Sequence, residues 1–240
     1  MDALVECVIV AVLALALCAV AYRKRFMTLA ATAAAFIFAC VTGFCGGLFW
    51  EITLMLFPAA AFVATKMGFE EKKKAGLQEG DHGERGLLNI LGVTMVPTII
   101  CLVHFLTDTA DFELTVAYVS AIAVSTADTL ASELGTRDPK VYMITTGKPC
   151  ERGMNGGVSR FGLLVSFIGA MVIGLVGMLL ITRDVSVWLI IPGIAGMLGN
   201  LIDSVEGALF ENKGYMSKYS VNATSALIGA IIGFLFALFA

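Results

Sequence analysis

Residues 125–162 of this 240-residue chain bring together the side chains that a phosphorylated ligand needs. Asp128, Ser132 and Glu133 close one apolar segment. Lys148 and Arg152 follow in a polar loop, then the run Gly153-Met154-Asn155-Gly156-Gly157, and Ser159 and Gly162 open the next apolar segment. An ionisable group at membrane depth is expensive and marks function by default. Asp128 and Ser132 are four residues apart, as are Thr129 and Glu133, so each pair shares a helix face. A carboxylate flanked by hydroxyls at a helix end suits Mg²⁺, which takes oxygen ligands and keeps several waters. A polar contact between helices is the other use of such groups. In the loop, glycines let backbone approach a ligand and successive N–H groups form an anion nest. Lys148 and Arg152 add charge for phosphate oxygens. The run is neither a Walker A sequence nor G-x-G-x-x-G, so no soluble nucleotide fold is implied. A plain turn with Ser159 as a helix cap is the alternative.

The elements that must position these groups are membrane helices. The chain is 58% hydrophobic and 15% charged, against about 25% charged in a soluble domain, and its mean hydropathy is +0.89. The apolar residues come in blocks of about 20, enough to span a hydrocarbon core. The expected fold is an all-α polytopic bundle of about eight transmembrane helices, over 3–22, 26–45, 47–65, 87–107, 114–134, 161–182, 186–206 and 221–239. No soluble domain or linker interrupts it, so 1–240 reads as one integral membrane domain. The start, MDALVE, is acidic where a cleaved signal peptide is basic, so the first segment is expected to stay as a helix. The six cysteines form no C-x-x-C. Five of them lie in apolar segments, where a thiol behaves as a small hydrophobe, so neither a zinc site nor a disulfide framework is expected.

Orientation follows from Lys and Arg. With eight alternating spans, every basic residue except Arg183 falls on one side, while the opposite loop 108–113 reads DTADFE. Both termini are therefore expected outside and the glycine-rich loop in the cytoplasm. The inside loop 66–86 is expected to be solvated, with Lys72, Lys73 and Lys74 meeting anionic headgroups. His82 reads as exposed, His104 as interfacial, and Glu6 and Glu51 as lying near the outer interface. Arg85 and Asn89, where that loop enters the fourth span, can face the same cytoplasmic cavity as Asp128. Asp203 and Glu206 share a face at the cytoplasmic end of the seventh span, and two carboxylates at one depth suit one or two magnesium ions bridging phosphates. Asn222 opens the last span as a cap or a ligand.

At these motifs the sequence resembles the family labelled domain of unknown function 92, which includes the phytyl-phosphate kinase of plant vitamin E synthesis and an animal multi-span protein. The residues that carry the resemblance are Arg85-x-x-x-Asn89, A-D-T-x-A-S-E-x-G from Ala127 to Gly135, N-G-G-V-S-x-x-G from Asn155 to Gly162, G-N-x-x-D-S-x-x-G-A from Gly199 to Ala208, and Val221-Asn222. It covers residues 80–240; residues 1–65 match in hydrophobicity alone. Where the family places an Asn-Asn or Asn-Asp pair before Val-Asn, this chain has Lys218-Tyr219. If that pair binds nucleotide or metal, the change alters substrate preference or removes activity.

The resemblance implies phosphoryl transfer from a nucleoside triphosphate, CTP favoured, to an isoprenoid monophosphate such as phytyl or geranylgeranyl phosphate. Asp128 and Asp203 would hold Mg²⁺, while Lys148, Arg152 and the turn with Gly153, Gly156 and Gly157 would cradle donor phosphates. Arg85 and Asn89 would take the acceptor phosphate, and Ser132, Glu133, Asn155, Ser159, Asn200, Ser204 and Asn222 would support both. The acceptor chain would lie between helices in the bilayer, and no nucleic-acid partner is expected. Two rivals are cytidylyl transfer to a lipid phosphate, which releases pyrophosphate, and a transporter, which needs polar residues in both halves of the membrane. The oligomeric state is not legible from the sequence.

Overall fold

The computed structural model describes residues 3–74, 76, 83–107, 109 and 111–240; His82, Asp108 and the side chain of Lys74 lie outside the described residues. Eight helices follow in order: α1 (Ala3–Arg23), α2 (Leu29–Gly46), α3 (Leu48–Lys74), α4 (Leu87–Leu106), α5 (Asp111–Leu134), α6 (Arg160–Thr182), α7 (Ile191–Glu206) and α8 (Lys218–Ala237). All eight are long and apolar enough to cross a membrane.

Most boundaries fall within five residues of the sequence reading, and one differs by more. Helix α3 continues through the expected loop to Lys74. The added segment, KMGFEEKKK, is rich in strong helix formers. It is also anchored: the Arg137 guanidinium donates to the Met67 carbonyl oxygen, and Lys72 pairs with Glu133 at 3.2 Å. Lys72 is therefore buried against α5 rather than solvated among headgroups.

Helix α5 is the axis of the bundle. Every residue from Thr115 to Ala127 is buried, and α3, α4, α6, α7 and α8 pack around it. Small side chains permit this, since interhelical packing in a membrane depends on close backbone approach. Gly177 meets Val119, Gly196 meets Ala123, and Gly199 and Gly229 both meet Val124. The hydroxyls within this buried stretch are satisfied locally: Ser120 donates to the Val116 carbonyl at 2.7 Å and Thr126 to the Ile122 carbonyl at 2.9 Å. Helix α1 sits at the edge, with Leu4, Val8, Val12 and Leu15 exposed for lipid contact.

At one end of the bundle, Tyr118 donates its hydroxyl to the Trp50 carbonyl at 2.6 Å and His104 lies 3.4 Å from Asp111. Glu6 accepts from the Leu48 N–H at 3.1 Å. Glu51, in the first turn of α3 at this same end, is fully buried. Its position one turn into α3, behind Val10 and Gly43 of the neighbouring helices, closes it off.

The opposite end carries the basic loops and is tied by backbone hydrogen bonds. Arg85 N–H donates to the Phe26 carbonyl at 2.8 Å and Thr28 N–H to the Arg85 carbonyl at 3.1 Å, clipping the α1–α2 turn to the start of α4. Between α5 and α6 the chain forms a small ribbon not foreseen from the sequence, β1 (Val141–Met143) against β2 (Gly157–Ser159), antiparallel with Val141 opposite Ser159.

Candidate active site

Three chain segments end together at the basic end, and each delivers a charged group. Helix α5 ends at Leu134 and tightens into a 3₁₀ turn over Gly135–Arg137, with Asp128 two turns earlier. Helix α7 brings Asn200, Asp203 and Ser204, then loosens into a π turn over Gly207–Glu211, closed by the Asn212 N–H on the Gly207 carbonyl at 3.1 Å. Such turns recur at functional sites. Helix α8 opens at Ser217, whose side chain caps the Ser220 N–H at 3.2 Å, and this aligns Lys218 and Asn222.

The fourth wall is the glycine run. Gly156 adopts φ +79°, and a Cβ there would lie 2.7 Å from the Ser204 carbonyl and 2.5 Å from the Ala208 Cβ. Only glycine lets the turn sit this close to α7. Asn212 donates to the Asn155 carbonyl at 2.9 Å, and the Asn155 side chain bonds to Glu211, so this turn and the π turn hold each other. The ribbon is fixed at its base by Asp138, which accepts from the N–H groups of Lys140 at 2.9 Å and Phe161 at 3.4 Å. The Lys140 N–H foremost, then the Phe161 N–H and nearby cations, hold the Asp138 carboxyl below its usual range. Burial pushes the Cys150 thiol up.

These walls enclose a cavity of about 220 Å³. Of the residues expected to serve the site, Asp128, Ser132, Gly153, Asn155, Gly156, Gly157, Ser159, Asn200, Asp203, Ser204 and Asn222 line it. Asp203 accepts from Ser225 at 2.8 Å, while Asp128, Glu206 and Glu211 stand within electrostatic reach of it. Glu206 faces α8 instead, accepting from Thr224 at 2.6 Å. Ser159 is a cap: it accepts from the Gly162 N–H at 3.0 Å and donates to the Gly135 carbonyl at 3.2 Å.

Five expected residues lie outside the lining. Lys148 and Arg152 are exposed, because the segment after β1 folds back on it: Met143 N–H donates to the Lys148 carbonyl and Cys150 N–H to the Val141 carbonyl. Arg85 and Asn89 are buried beyond Glu133, and Glu133 itself is occupied by Lys72 at 3.2 Å and Arg85 at 4.0 Å. The cations that do line the cavity are Lys72 and Lys218, and Glu211 is a third carboxylate. Lys72 was hidden in a run that reads as solvated, and Glu211 lies after a turn whose π geometry no spacing rule anticipates. Lys218 had a signal: it stands at the position where the chain departs from the family pattern.

The donor set fits Mg²⁺ rather than an all-protein cage. Among the described residues no three His, Cys, Asp or Glu side chains converge closely enough to enclose a cation. Magnesium commonly takes one or two carboxylates and completes its shell with waters and substrate phosphates. Asp128 and Asp203, on different helices of one cavity, offer that arrangement.

The comparisons with known proteins agree with the membrane architecture. The family model described as integral membrane protein DUF92 matches residues 12–236, which takes in the second half of α1 and all of α2 and α3. An uncharacterized membrane protein of Methanocaldococcus jannaschii is 36% identical over 194 residues, covering 80% of this chain and 77% of its own. Protein PGR of Arabidopsis thaliana is 29% identical over 224 residues, covering 82% and 76%. Protein VTE6, chloroplastic, of Arabidopsis thaliana is 28% identical over 193 residues, covering 75% of this chain and 57% of the relative. No solved structure matches the chain. With a family match running almost from end to end, the chain belongs to the integral membrane protein DUF92 family.

Proposed function

We propose that the protein transfers the γ-phosphoryl group of a nucleoside triphosphate to an isoprenoid monophosphate, such as phytyl or geranylgeranyl phosphate, giving the diphosphate. The observation that carries this reading is the placement of Asp128 and Asp203 from separate helices in one cavity, with the glycine turn 153–157 and two lysines. CTP is the favoured donor on the resemblance to the phytyl-phosphate kinase. The clustering of Lys and Arg at this end favours a cytoplasmic location.

A non-bridging oxygen of the acceptor monophosphate attacks the γ-phosphorus. A new P–O–P bond forms, the bond from the γ-phosphorus to the β–γ bridging oxygen breaks, and the nucleoside diphosphate leaves with that electron pair. A phosphate monoester is already largely ionised near pH 7, so no strong general base is needed; positioning and charge neutralisation supply the acceleration. Asp128 and Asp203 hold Mg²⁺, which when bound neutralises charge on the donor phosphates. Glu211 supports them from across the cavity. Backbone N–H groups of Gly153, Asn155 and Gly156 cradle phosphate oxygens, those of Met154 and Gly157 being spent on the Glu151 and Met154 carbonyls. Lys72 and Lys218 take up charge, and Asn200, Asn222, Ser132 and Ser204 orient the substrates.

The test is purified protein with Mg²⁺, geranylgeranyl monophosphate and CTP labelled on the γ-phosphate. Label is expected in geranylgeranyl diphosphate, reduced roughly a hundredfold or more in Asp128→Asn and Asp203→Asn variants that keep their unfolding temperature. Release of pyrophosphate with cytidylyl carried onto the lipid would overturn the kinase reading, as would wild-type turnover in Asp128→Asn.

A further inference from the structure

A second cavity, of about 280 Å³, lies among α1, α2, α3 and α4. Its character is opposite to that of the first. Cys18, Ala35, Leu54, Phe57, Phe62 and Ile90 supply much of its wall, and Lys24 and Arg85 are its only charged lining residues among the described ones. Leu54, Phe57 and Ile90 are buried while Leu17, Val20 and Ala59 of the same lining are exposed, so the space is a cleft that runs from the lipid-facing surface into the bundle. Pro58 lacks the N–H that would bond to the Leu54 carbonyl, so one hydrogen bond is missing from the otherwise continuous helix α3 along this wall, and both residues line it.

Arg85 joins the two cavities. Its guanidinium lies 5.6 Å from the Phe26 ring centre and 6.0 Å from that of Phe57, and a terminal nitrogen lies 4.0 Å from Glu133. The side chain is about nine-tenths buried, yet its Nε has no hydrogen-bond acceptor among the described residues. Glu133 in turn holds Lys72 at 3.2 Å, and Lys72 lines the polar cavity. The row Arg85–Glu133–Lys72 is thus a partition between an apolar chamber and a phosphate-binding one.

We propose that the α1–α4 cavity seats the hydrocarbon chain of a single-chain anionic amphiphile, whose phosphate lies at Arg85 beside the partition. The size fits the first part of one chain: at the ~150 Å³ that accommodates the six carbons of benzene in an apolar protein interior, the cleft takes roughly a dozen carbons, and the rest of a longer chain leaves through its open side into the bilayer. The charge fits as well, because a guanidinium presents five donors and the distant contact to Glu133 leaves capacity for phosphate oxygens. In taking this amphiphile to be the phosphoryl acceptor, the inference rests on the reaction proposed above; occupation of the cavity by its chain does not.

The experiment is photoaffinity labelling of the protein in nanodiscs with geranylgeranyl monophosphate carrying a diazirine in the half of its chain nearer the phosphate. Adducts are expected on Leu54, Phe57 or Phe62, competed by unmodified geranylgeranyl monophosphate but not by inorganic phosphate or by two-chain dioleoyl phosphatidic acid. Ala35→Phe, which fills the chamber, should weaken geranylgeranyl monophosphate binding roughly tenfold or more, since each excluded methylene is worth about fourfold, and leave Mg²⁺–CTP binding unchanged. Arg85→Gln should weaken the phosphate and leave geranylgeraniol unaffected. Adducts on the lipid-facing residues Ile168 and Val172 of α6, or equal competition by phosphatidic acid, would overturn the proposal. Chain binding without phosphoryl transfer would sink the reaction and keep the cavity; transfer with affinity untouched by Ala35→Phe would do the reverse.

Discussion

Glu133→Gln is the sharpest perturbation of the partition between the two cavities. The three side chains are nearly dry: Glu133 is 8% exposed, Lys72 and Arg85 10% each. At an effective dielectric of about 20, a charge pair at the Lys72–Glu133 separation attracts by roughly 5 kcal/mol and one at the Arg85–Glu133 separation by roughly 4 kcal/mol. Desolvation cancels much of this in the intact triad. The cancellation fails once the carboxylate is neutralised, because two buried cations are left without an anion, a change that costs about 3–5 kcal/mol. For a chain of this size each kcal/mol shifts the unfolding midpoint by about 2–4 °C, so the variant should melt roughly 6–20 °C below wild type. The assay is thermal unfolding in micelles, followed through Trp50 and Trp188. Adding Lys72→Met should recover part of the loss, since one of the two orphaned cations is removed. A midpoint for Glu133→Gln within about 2 °C of wild type would refute the triad and return Lys72 to the lipid headgroups.

Other outcomes follow from the same geometry. Lys148→Ala and Arg152→Ala, both on exposed loop positions, should change turnover by no more than about twofold, whereas Lys218→Ala should lower kcat clearly; the reverse order would place the phosphate site on the ribbon. Gly156→Ala forces a left-handed backbone that costs about 1–2 kcal/mol and drives a methyl into α7, so both unfolding midpoint and turnover should fall. Ser225→Ala removes the hydrogen bond to Asp203 and should cost about 1–3 kcal/mol, seen as a lower midpoint. Burial raises the Cys150 pKa and so depletes the thiolate near neutral pH. Its maleimide labelling at pH 7.5 should be slower than that of a free thiol such as glutathione, and should still be climbing with pH where the free thiol has levelled off.

The sequence carried most of the architecture because hydrocarbon imposes a single rule, that apolar segments of sufficient length become helices. The end of helix α5 was placed to the residue and its start within three. Asp128, Asp203 and the glycine turn were legible because polar groups inside apolar segments have few other reasons to be there. Lys72 was not legible. A lysine in a charged run looks solvated until the helix that carries it extends beyond the membrane and folds onto Glu133. Lys148 and Arg152 misled in the opposite sense: their neighbourhood in sequence suggested the cavity, but a ribbon of three residues per strand turns them outward. Arg85 carried the signal of function without its location, since the motif says that it matters and the fold alone says on which side of Glu133 it stands.

The π turn over Gly207–Glu211 has a consequence for how this chain tolerates change. It holds one residue more per hydrogen-bonded turn than the helix before it, and that surplus places Glu211 in the cavity and Asn212 on the glycine run. Each residue added to or removed from a helix rotates everything beyond it by about 100°. A substitution here alters a side chain, but a single-residue deletion would swing Glu211 off the cavity and strip the Asn155 carbonyl of its donor. The stretch from Asp203 to Lys218 should therefore accept variation in composition and reject variation in length. In relatives that keep the chemistry, gaps are expected outside the stretch from Asp203 to Lys218.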